Sequence, residues 1–261
     1  MVIRVLDRKV LRDIWLLRGQ VLTIALMIGA GVAVLVASVS AWLSLVHEQE
    51  AFYAETRFAD VFVEMKRAPR ALLPRLAAMP GVAAVEGRVV GDARVEWPRS
   101  QTPVSARILS LPATGRPELN RLRLVAGRWP DPARHDEAIL HVAFASAWGV
   151  RPGDPVTLIM NGRRETFRVV GVAQAPDYVL ATPPGNPLPD DRGFAVIWAG
   201  EEAVARAFDM EGAFSQLIVA LAPGASEAAV IGSLIACSTG TADAALTAVA
   251  TSLRIVFSRT N

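Results

Sequence analysis

"AWGVRPGDPVTLIMNGRRETFRVVGVA" spans residues 147–173 and contains the signals for a complete β-hairpin. Apolar and polar residues alternate on both sides of Asn161-Gly162, a dipeptide typical of two-residue hairpin loops. Before the hairpin, a short apolar run ends at Gly149, which predicts a helix end, and Pro152-Gly153 predicts a turn. The stretch therefore predicts a short helix followed by two antiparallel strands, the framework of a small, mostly β module.

The overall composition narrows the class of protein. Of the 261 residues 52% are hydrophobic, and the mean hydropathy is +0.34. The net charge is only +2, and basic residues do not cluster with aromatic ones on any predicted helix, which argues against a nucleic-acid partner. The single cysteine, Cys237, excludes an internal disulfide and a multi-cysteine metal site.

One segment near the N-terminus is long and apolar enough to span a bilayer. Residues 21–46 carry no charge over 26 positions, and 13 of them are Leu, Ile or Val. As a helix this segment would be about 39 Å long, enough for a hydrocarbon core of about 30 Å. A cleaved signal peptide is the alternative, with "SVSA" at 38–41 as a passable cleavage site. Because the apolar run exceeds the usual ~7–15 residues and continues past that site, an uncleaved transmembrane helix is predicted.

The charges that flank this helix predict its orientation. Residues 1–20 contain five basic side chains against two acidic ones, so the positive-inside rule places this segment in the cytoplasm. Everything from residue 47 onward is then outside, which means the periplasm if the protein lies in a bacterial inner membrane. The polar segment 47–58, "HEQEAFYAETRF", is predicted to continue the helix beyond the lipid bilayer.

Small residues recur every fourth position along the predicted span. A regular strip of this kind lets a second transmembrane helix approach closely. The alternative is that an Ala-rich composition produced the spacing by chance. The strip, which predicts packing against other transmembrane helices, consists of Ala25, Gly29, Ala33, Ala37 and Ala41.

The external part is predicted to be an α+β domain with two lobes. Residues 61–79 and 217–236 each indicate a strand, a proline-containing turn and a helix, and together they form one strand–helix lobe. Further strands are predicted at 82–95 and 104–111. A different, mostly β lobe is inserted at about 112–190, and it contains the hairpin at 147–173. The domain as a whole is assigned to residues 47–236.

The sequence contains no recognisable catalytic or metal-binding motif. His135 and His141 in "HDEAILH" are six positions apart, unlike the i,i+4 histidines of zinc helices. The segment is more simply a polar turn that leads into a strand at 138–142. The chain has no G-x-S-x-G elbow, no phosphate-binding loop and no dinucleotide fingerprint. We therefore expect a non-catalytic chain without cofactor or bound metal.

A longer stretch resembles a known family. Residues 124–173, "LVAGRWPDPARHDEAILHVAFASAWGVRPGDPVTLIMNGRRETFRVVGVA", are similar to the MacB-like periplasmic core domain of ABC-transporter permeases of the FtsX/MacB/LolC type. The order of basic segment, span and two-lobed domain agrees with that family. The scaffold positions that carry the resemblance are Gly127, Arg128, Gly149, Gly153, Asp154 and Gly171.

The resemblance implies a mechanical role. The inserted lobe would rest on a porter-like strand–helix lobe, and a separate ATPase subunit would drive the permease through its membrane helices. Further permease helices, the lipid bilayer and a second permease copy would be the other partners, in export or extraction of a substrate. Two alternatives stay open: a single-span anchored binding, sensor or adaptor protein, and an anchored enzyme with a dispersed site.

The C-terminal segment departs from the family pattern. Family permeases continue into three more spans, whereas residues 237–261 are rich in Ser and Thr and indicate no strand after the last predicted helix. We therefore expect residues 237–261 to be an aberrant tail from a frameshift or truncation.

Overall fold

The computed structural model describes residues 18–98, 100, 102–183, 188–239 and 254–258. Most of the predicted cytoplasmic segment, residues 1–17, lies outside the described residues, as do parts of the inserted lobe and of the tail. The helices are α1 (Arg18–Glu55), α2 (Leu73–Ala77), α3 (Val142–Trp148), α4 (Glu201–Ala207) and α5 (Glu227–Thr239), with 3₁₀ turns at Arg70–Leu72 and Pro176–Tyr178. The strands are β1 (Val61–Pro69), β2 (Val82–Arg88), β3 (Val90–Glu96), β4 (Val104–Leu111), β5 (Arg123–Gly127), β6 (Glu137–His141), β7 (Pro155–Met160), β8 (Arg163–Gln174), β9 (Phe194–Gly200), β10 (Ala213–Leu221) and β11 (Arg254–Ser258).

The chain divides into two units, Met1–Phe52 and Tyr53–Asn261. Within the described residues, α1 is the one helix long and apolar enough to cross a membrane, with a mean hydropathy of 2.4 over its most apolar 18-residue window. The predicted apolar helix and its polar continuation are therefore present, and the helix ends at Glu55. The five residues of the small-residue strip all lie on α1 and are exposed.

The first lobe of the external domain is a four-stranded sheet in the order β11-β1-β10-β2. Its central strands β1 and β10 are antiparallel, and each leads into a helical segment, as the repeated strand–helix pattern predicted. The first helical segment is shorter than predicted, because Pro74 limits it to a 3₁₀ turn followed by the five-residue α2. Leu76 of α2 and Val230 of α5 share one core with the sheet.

The two faces of this sheet bury different residues, because successive side chains of a strand point to opposite faces. Val61 and Leu217 lie on the face that α2 and α5 cover. Phe62 and Ile218 lie on the opposite face, where they pack with Leu119 from the second lobe. The first lobe is therefore a sheet with helices on one side and part of the second lobe on the other.

The second lobe is a seven-stranded sheet in the order β5-β8-β6-β9-β4-β3-β7. An additional pairing between β7 and β8 closes the ring, so that all strands except β5 form a barrel. Closure removes the exposed strand edges of an open sheet. Large apolar side chains fill the interior, among them Ile108, Phe144 and Phe167, each at most 1% exposed.

The hairpin predicted at 147–173 is confirmed. Strands β7 and β8 pair antiparallel, with Met160 opposite Arg163, so the loop is Asn161-Gly162. Both loop residues have positive φ, 48° and 78°, which is the backbone conformation of a type I′ turn. The helix before it, α3, ends at Gly149 as predicted.

The inserted lobe is larger than the predicted bounds of about 112–190. Strands β3, β4 and β9 and helix α4 belong to the second lobe, which therefore extends from Val90 to the end of α4. The predicted bounds were too narrow because β3 and β4 have the same local strand pattern as β2, and only their pairing partners differ.

The tail also differs from the expectation. The prediction that no strand follows the last helix is wrong, because Arg254–Ser258 forms β11 and pairs antiparallel with β1. The run Arg254-Ile255-Val256-Phe257 has the β-branched and aromatic residues that favour strands. The Ser- and Thr-rich segment from 240 to 253 lies outside the described residues.

Candidate functional site

A row of polar side chains crosses the face of the first sheet that is turned away from its helices. Glu64 of β1 lies opposite Gln216 of β10, and Gln216 lies opposite Arg88 of β2. Alternate side chains of a strand point to the same face. The polar residues of β1 and β10 therefore share a face with the apolar residues two positions away along the same strand. The sheet therefore presents a polar row to the second lobe.

Arg88 joins the two lobes through a buried ion pair. Its Nε donates to Gln216 Oε1 at 2.6 Å, and its Nη2 donates to Asp177 Oδ2 at 2.6 Å. The side chains of Arg88 and Asp177 are only 8% and 7% exposed. Asp177 belongs to the 3₁₀ turn Pro176–Tyr178, which we call the strap and which follows β8 in the second lobe.

The strap is held to the barrel by its tyrosine. Burial raises the pKa of Tyr178 to about 12, so its hydroxyl stays neutral at physiological pH. The positive charge of the Arg107 guanidinium of β4 acts against this rise in pKa, and the Tyr178 ring packs edge-on against Trp198 of β9, with centroids 6.2 Å apart. Arg107 also lies 3.9 Å from Glu64 Oε1 of the first lobe, so the polar row continues across the lobe boundary.

A second cluster binds the residues that directly follow α1, and we call it the helix-exit clamp. It consists of residues 56–59 on one side and 118–121 on the other. The Asn120 N–H donates to the Arg57 carbonyl at 3.1 Å, and the Arg121 N–H donates to the Thr56 carbonyl at 2.7 Å. Asn120 Oδ1 accepts from the Ala59 N–H at 2.8 Å.

Charged side chains reinforce the clamp. Arg57 pairs with Glu118 at 2.8 Å on the surface. Glu86 of β2 accepts hydrogen bonds through Oε2 from the backbone N–H groups of Glu118 at 2.9 Å and Leu119 at 3.3 Å. Burial raises the pKa of Glu86, although these hydrogen bonds act in the opposite direction. The first turn after α1 is therefore tied to residues 118–121 of the second lobe, and these are tied in turn to strand β2 of the first lobe.

The structure brings several of the predicted scaffold residues together. A Cβ added at Gly127 would lie 2.2 Å from the Val170 carbonyl oxygen and 2.9 Å from the Gly171 Cα, so β5 and β8 approach closely there. Arg128 continues this contact by donating its backbone N–H to the Val170 carbonyl at 2.9 Å. Gly127 and Gly171 therefore allow two backbones to pack with no side chain between them.

The other scaffold residues lie around the turn before the hairpin. Gly149 follows α3 directly. Gly153 N–H donates to the Val169 carbonyl at 2.7 Å, and Asp154 Oδ2 accepts from the Arg151 N–H at 2.8 Å. This turn lies beside β8 and fixes where β7 begins.

Arg128 makes one further contact that sequence analysis missed. Its guanidinium binds both carboxylate oxygens of Glu137, at 2.5 and 2.8 Å. The Glu137 side chain is only 1% exposed, and its hydrogen bond with Arg128 lowers the pKa of the carboxyl. The pair fixes the start of β6 to the end of β5.

The two histidines of "HDEAILH" have separate environments. His141 is 2% exposed, and its Nδ1 accepts from the Ala143 N–H at 3.3 Å as the N-cap of α3. His135 lies on the surface, 3.5 Å from Glu202. Among the described residues, no group of three or more His, Cys, Asp and Glu side chains could hold a metal ion.

His135 lies at a cavity of about 340 Å³ at one end of the barrel. Its lining combines apolar residues with carboxylates, two of which are engaged in ion pairs: Glu201 with Arg70 at 2.6 Å, and Glu202 with Arg206 at 2.6 Å. The lining of the cavity is therefore both acidic and partly apolar.

Sequence analysis did not find the clamp or the ion pair of the strap. Arg88 and Asp177 are 89 positions apart, and no local pattern connects them. One usable signal was Asn120, since Asn tolerates the left-handed conformation better than most residues and has φ of 47° here.

Several known proteins are similar to this chain. The periplasmic region of MacB from Actinobacillus actinomycetemcomitans is similar at 10% identity with a TM-score of 0.47, covering 76% of this chain and 88% of that one. The extracellular domain of the noncanonic ABC-type transporter YknZ from Gram-positive bacteria gives 13% identity and a TM-score of 0.46, covering 76% and 99%. No curated protein sequence matches the chain. The family model of the MacB-like periplasmic core domain matches residues 21–236, and the chain therefore belongs to this family of ABC-transporter permease domains.

Proposed function

We propose that this chain is a permease subunit that couples a separate ATPase in the cytoplasm to movement of a periplasmic domain, in export or extraction of a substrate. The observation that carries the proposal is the helix-exit clamp. Movement of α1 reaches the external domain first at residues 56–59, which are hydrogen-bonded to residues 118–121. A pull on the helix is then transmitted to both lobes at once.

The clamp is suited to transmit force because it is cross-linked in several directions. Backbone hydrogen bonds join Thr56 and Arg57 to residues 120 and 121 of the second lobe, while Glu86 of β2 binds residues 118 and 119 of that lobe. Hydrogen bonds in such a network strengthen one another by polarisation, so the segments that they join resist being displaced separately. The packing of Leu119 on Phe62 and Ile218 fills the space beneath it.

The remaining partners follow from the family context and the charge pattern. The basic segment 1–20 faces the cytoplasm, where the ATPase binds. The small-residue strip of α1 packs against other permease helices in the lipid bilayer, and the assembled permease is a dimer. The chain itself catalyses no reaction and holds no cofactor.

Asn120→Ala tests the role of the clamp. The chain is purified in nanodiscs with its cognate ATPase, and hydrogen exchange of the external domain is compared with and without ATP. In the parent protein, ATP should change the exchange of amides in both lobes. In Asn120→Ala the change should fall at least about threefold, because the lost hydrogen bond to Ala59 loosens the first link, and each bond contributes about 1 kcal/mol.

Asn161→Ala is the matched control. Asn161 also has a left-handed backbone, with φ of 48° against 47° for Asn120, but it lies in the hairpin loop. The backbone strain caused by alanine is therefore the same in both variants, and Asn161→Ala should respond to ATP like the parent. An equal response in Asn120→Ala, or failure of any ATPase to co-purify with the parent, would contradict the proposal.

A binding or sensor role is the second candidate, and the cavity of about 340 Å³ favours it. Its lining of carboxylates and apolar residues suits a small cationic, partly apolar ligand. Glu211 is one of the carboxylates that line this cavity. Thermal stabilisation of the full chain by such a cation, lost in Glu211→Gln and accompanied by no association with an ATPase, would support this candidate over the first.

A further inference from the structure

The chain passes between the two lobes at two places. It leaves the first lobe between β2 and β3, at residues 88–90, and returns between α4 and β10, at residues 208–212. At the outward crossing the Val90 N–H donates to Ser215 Oγ at 2.9 Å, and the same hydroxyl donates to the Val90 carbonyl at 3.1 Å. Two adjacent crossings of the chain can serve as a hinge about which one lobe rotates relative to the other.

Besides the helix-exit clamp, ion pairs between the lobes help to fix the angle between them. Arg57–Glu118 and Arg70–Glu201 are partly or largely exposed to water, with side-chain exposures between 21% and 63%. The contact between Glu64 and Arg107 is long, at 3.9 Å. Among the ion pairs between the lobes in the described part of the chain, Arg88–Asp177 is the one that is almost fully buried.

The Arg88–Asp177 pair is buried but incompletely satisfied. Arg88 is held on the first lobe by Gln216, whereas Asp177 Oδ1 is buried and has no hydrogen-bond partner. Desolvation of two charges largely offsets their attraction, so a movement that returns both charges to water changes the free energy little. Such a pair has two discrete arrangements, joined or solvated, which is the property of a switchable contact.

Asp177 is also attached to an element that can move with the second lobe. The strap is a single 3₁₀ turn, and its Tyr178 packs edge-on against Trp198 of the barrel strand β9, with ring centroids 6.2 Å apart. Separation of the lobes would therefore break the contact between Asp177 and Arg88 while Asp177 stays on the barrel and Arg88 stays on the sheet.

We propose that the Arg88–Asp177 pair, which lies directly at the outward crossing, is a latch that helps to fix the angle between the two lobes, and that its release lets the second lobe rotate about the two crossings. This inference goes beyond the proposed coupling to an ATPase, because it concerns a movement within the external domain. Its test does not depend on any transport activity.

Distances between spin labels test the latch in the full chain in nanodiscs. The native Cys237 is replaced by Ser, and labels are attached at Ala78→Cys in the first lobe and Ser146→Cys in the second, both exposed positions. The parent should give one narrow distance distribution. Asp177→Asn should raise a second population, in which the lobes are separated, roughly tenfold, because the charge of Arg88 then stays buried without a counter-charge as long as the lobes are joined.

Glu96→Gln is the matched control. It removes one carboxylate from the ion pair between Glu96 and Arg164 at 2.8 Å, and both residues belong to the second lobe. Its distance distribution should superimpose on that of the parent. If Asp177→Asn is folded by circular dichroism and also superimposes on the parent, the latch is overturned.

If Asp177→Asn does not fold, Arg88→Lys tests the same proposal. Lysine retains the positive charge but lacks the forked geometry with which Arg88 binds Gln216 and Asp177 together. It should raise the same second population. An unchanged distribution in folded Arg88→Lys would overturn the proposal as well.

Discussion

Gly127 shows how a single residue fixes the contact between two strands. Its φ is 79°, and a Cβ at this position would approach the Val170 carbonyl oxygen to 2.2 Å. Gly127→Ala should therefore lower the free energy of unfolding by more than about 2 kcal/mol, since both backbone strain and a steric clash oppose alanine. Urea unfolding of the full chain in detergent measures this loss.

Gly162→Ala separates the two causes. Gly162 has almost the same φ, 78°, but a Cβ there would meet no atom within 4 Å. This variant should lose only about 1 kcal/mol, from backbone strain alone. Equal losses in the two variants would show that the close approach of β5 and β8 contributes nothing.

His141 makes stability depend on pH. Burial lowers the pKa of His141 below its ordinary 6.5, so the unfolded chain binds a proton more readily than the folded one. The stabilisation is fully present above the unfolded value and is lost as the pH falls towards the folded value. The slope reaches at most about 1.4 kcal/mol per pH unit.

His141→Asn should remove this part of the pH dependence. Asparagine can still accept a hydrogen bond from the Ala143 N–H and cap α3. Urea midpoints between about pH 7.5 and pH 5 should then change less than in the parent. His135→Asn is the control, because His135 lies on the surface, and a pH dependence reduced as much in this variant would assign the effect to a different group.

At the scale of elements, α1 presents two glycines that lie on different faces. Gly29 belongs to the small-residue strip, while Gly31 is two positions further and therefore about 200° around the helix. Neither has any atom within 4 Å of an added Cβ. If the strip packs against partner helices, Gly29→Leu should reduce co-purification with them about tenfold, because the helices can no longer approach closely.

Gly31→Leu provides the matched control on the same helix. It adds the same side chain only about 3 Å further along the helix, but away from the strip. It should insert and associate like the parent protein. If both leucine variants associate equally well, the spacing of small residues reflects composition alone.

At the scale of the whole molecule, the position of the external domain relative to the membrane is testable by fusion. The five basic residues of segment 1–20 predict that the chain from residue 47 onward lies outside the cytoplasm. Alkaline phosphatase, which is active only outside, should be active when fused after Leu221. Green fluorescent protein, which matures in the cytoplasm, should be dark at the same position and fluorescent at the N-terminus; the reverse pattern would refute the orientation.

The residues of the polar row show what sequence analysis could and could not reach. The alternation in β10 indicates that Gln216 and Ile218 share a face, because the side-chain period of a strand is two. Nothing local indicates that Arg88 lies opposite Gln216 or that Asp177 reaches both lobes. Those contacts join distant positions, and only folding brings them together.

The sequence by itself determined the features that depend on near neighbours: the apolar length of α1, the loop Asn161-Gly162 and the strand Val104–Leu111, all of which the structure confirms. The tertiary structure alone decided which sheet each strand joins, the closure of the barrel by β7 and β8, and the pairing of β11 with β1. The physical reason is that turn chemistry and hydrophobic period act over a few residues. The choice of a pairing partner depends instead on which distant strand completes the same core, and that is settled only when the whole domain packs.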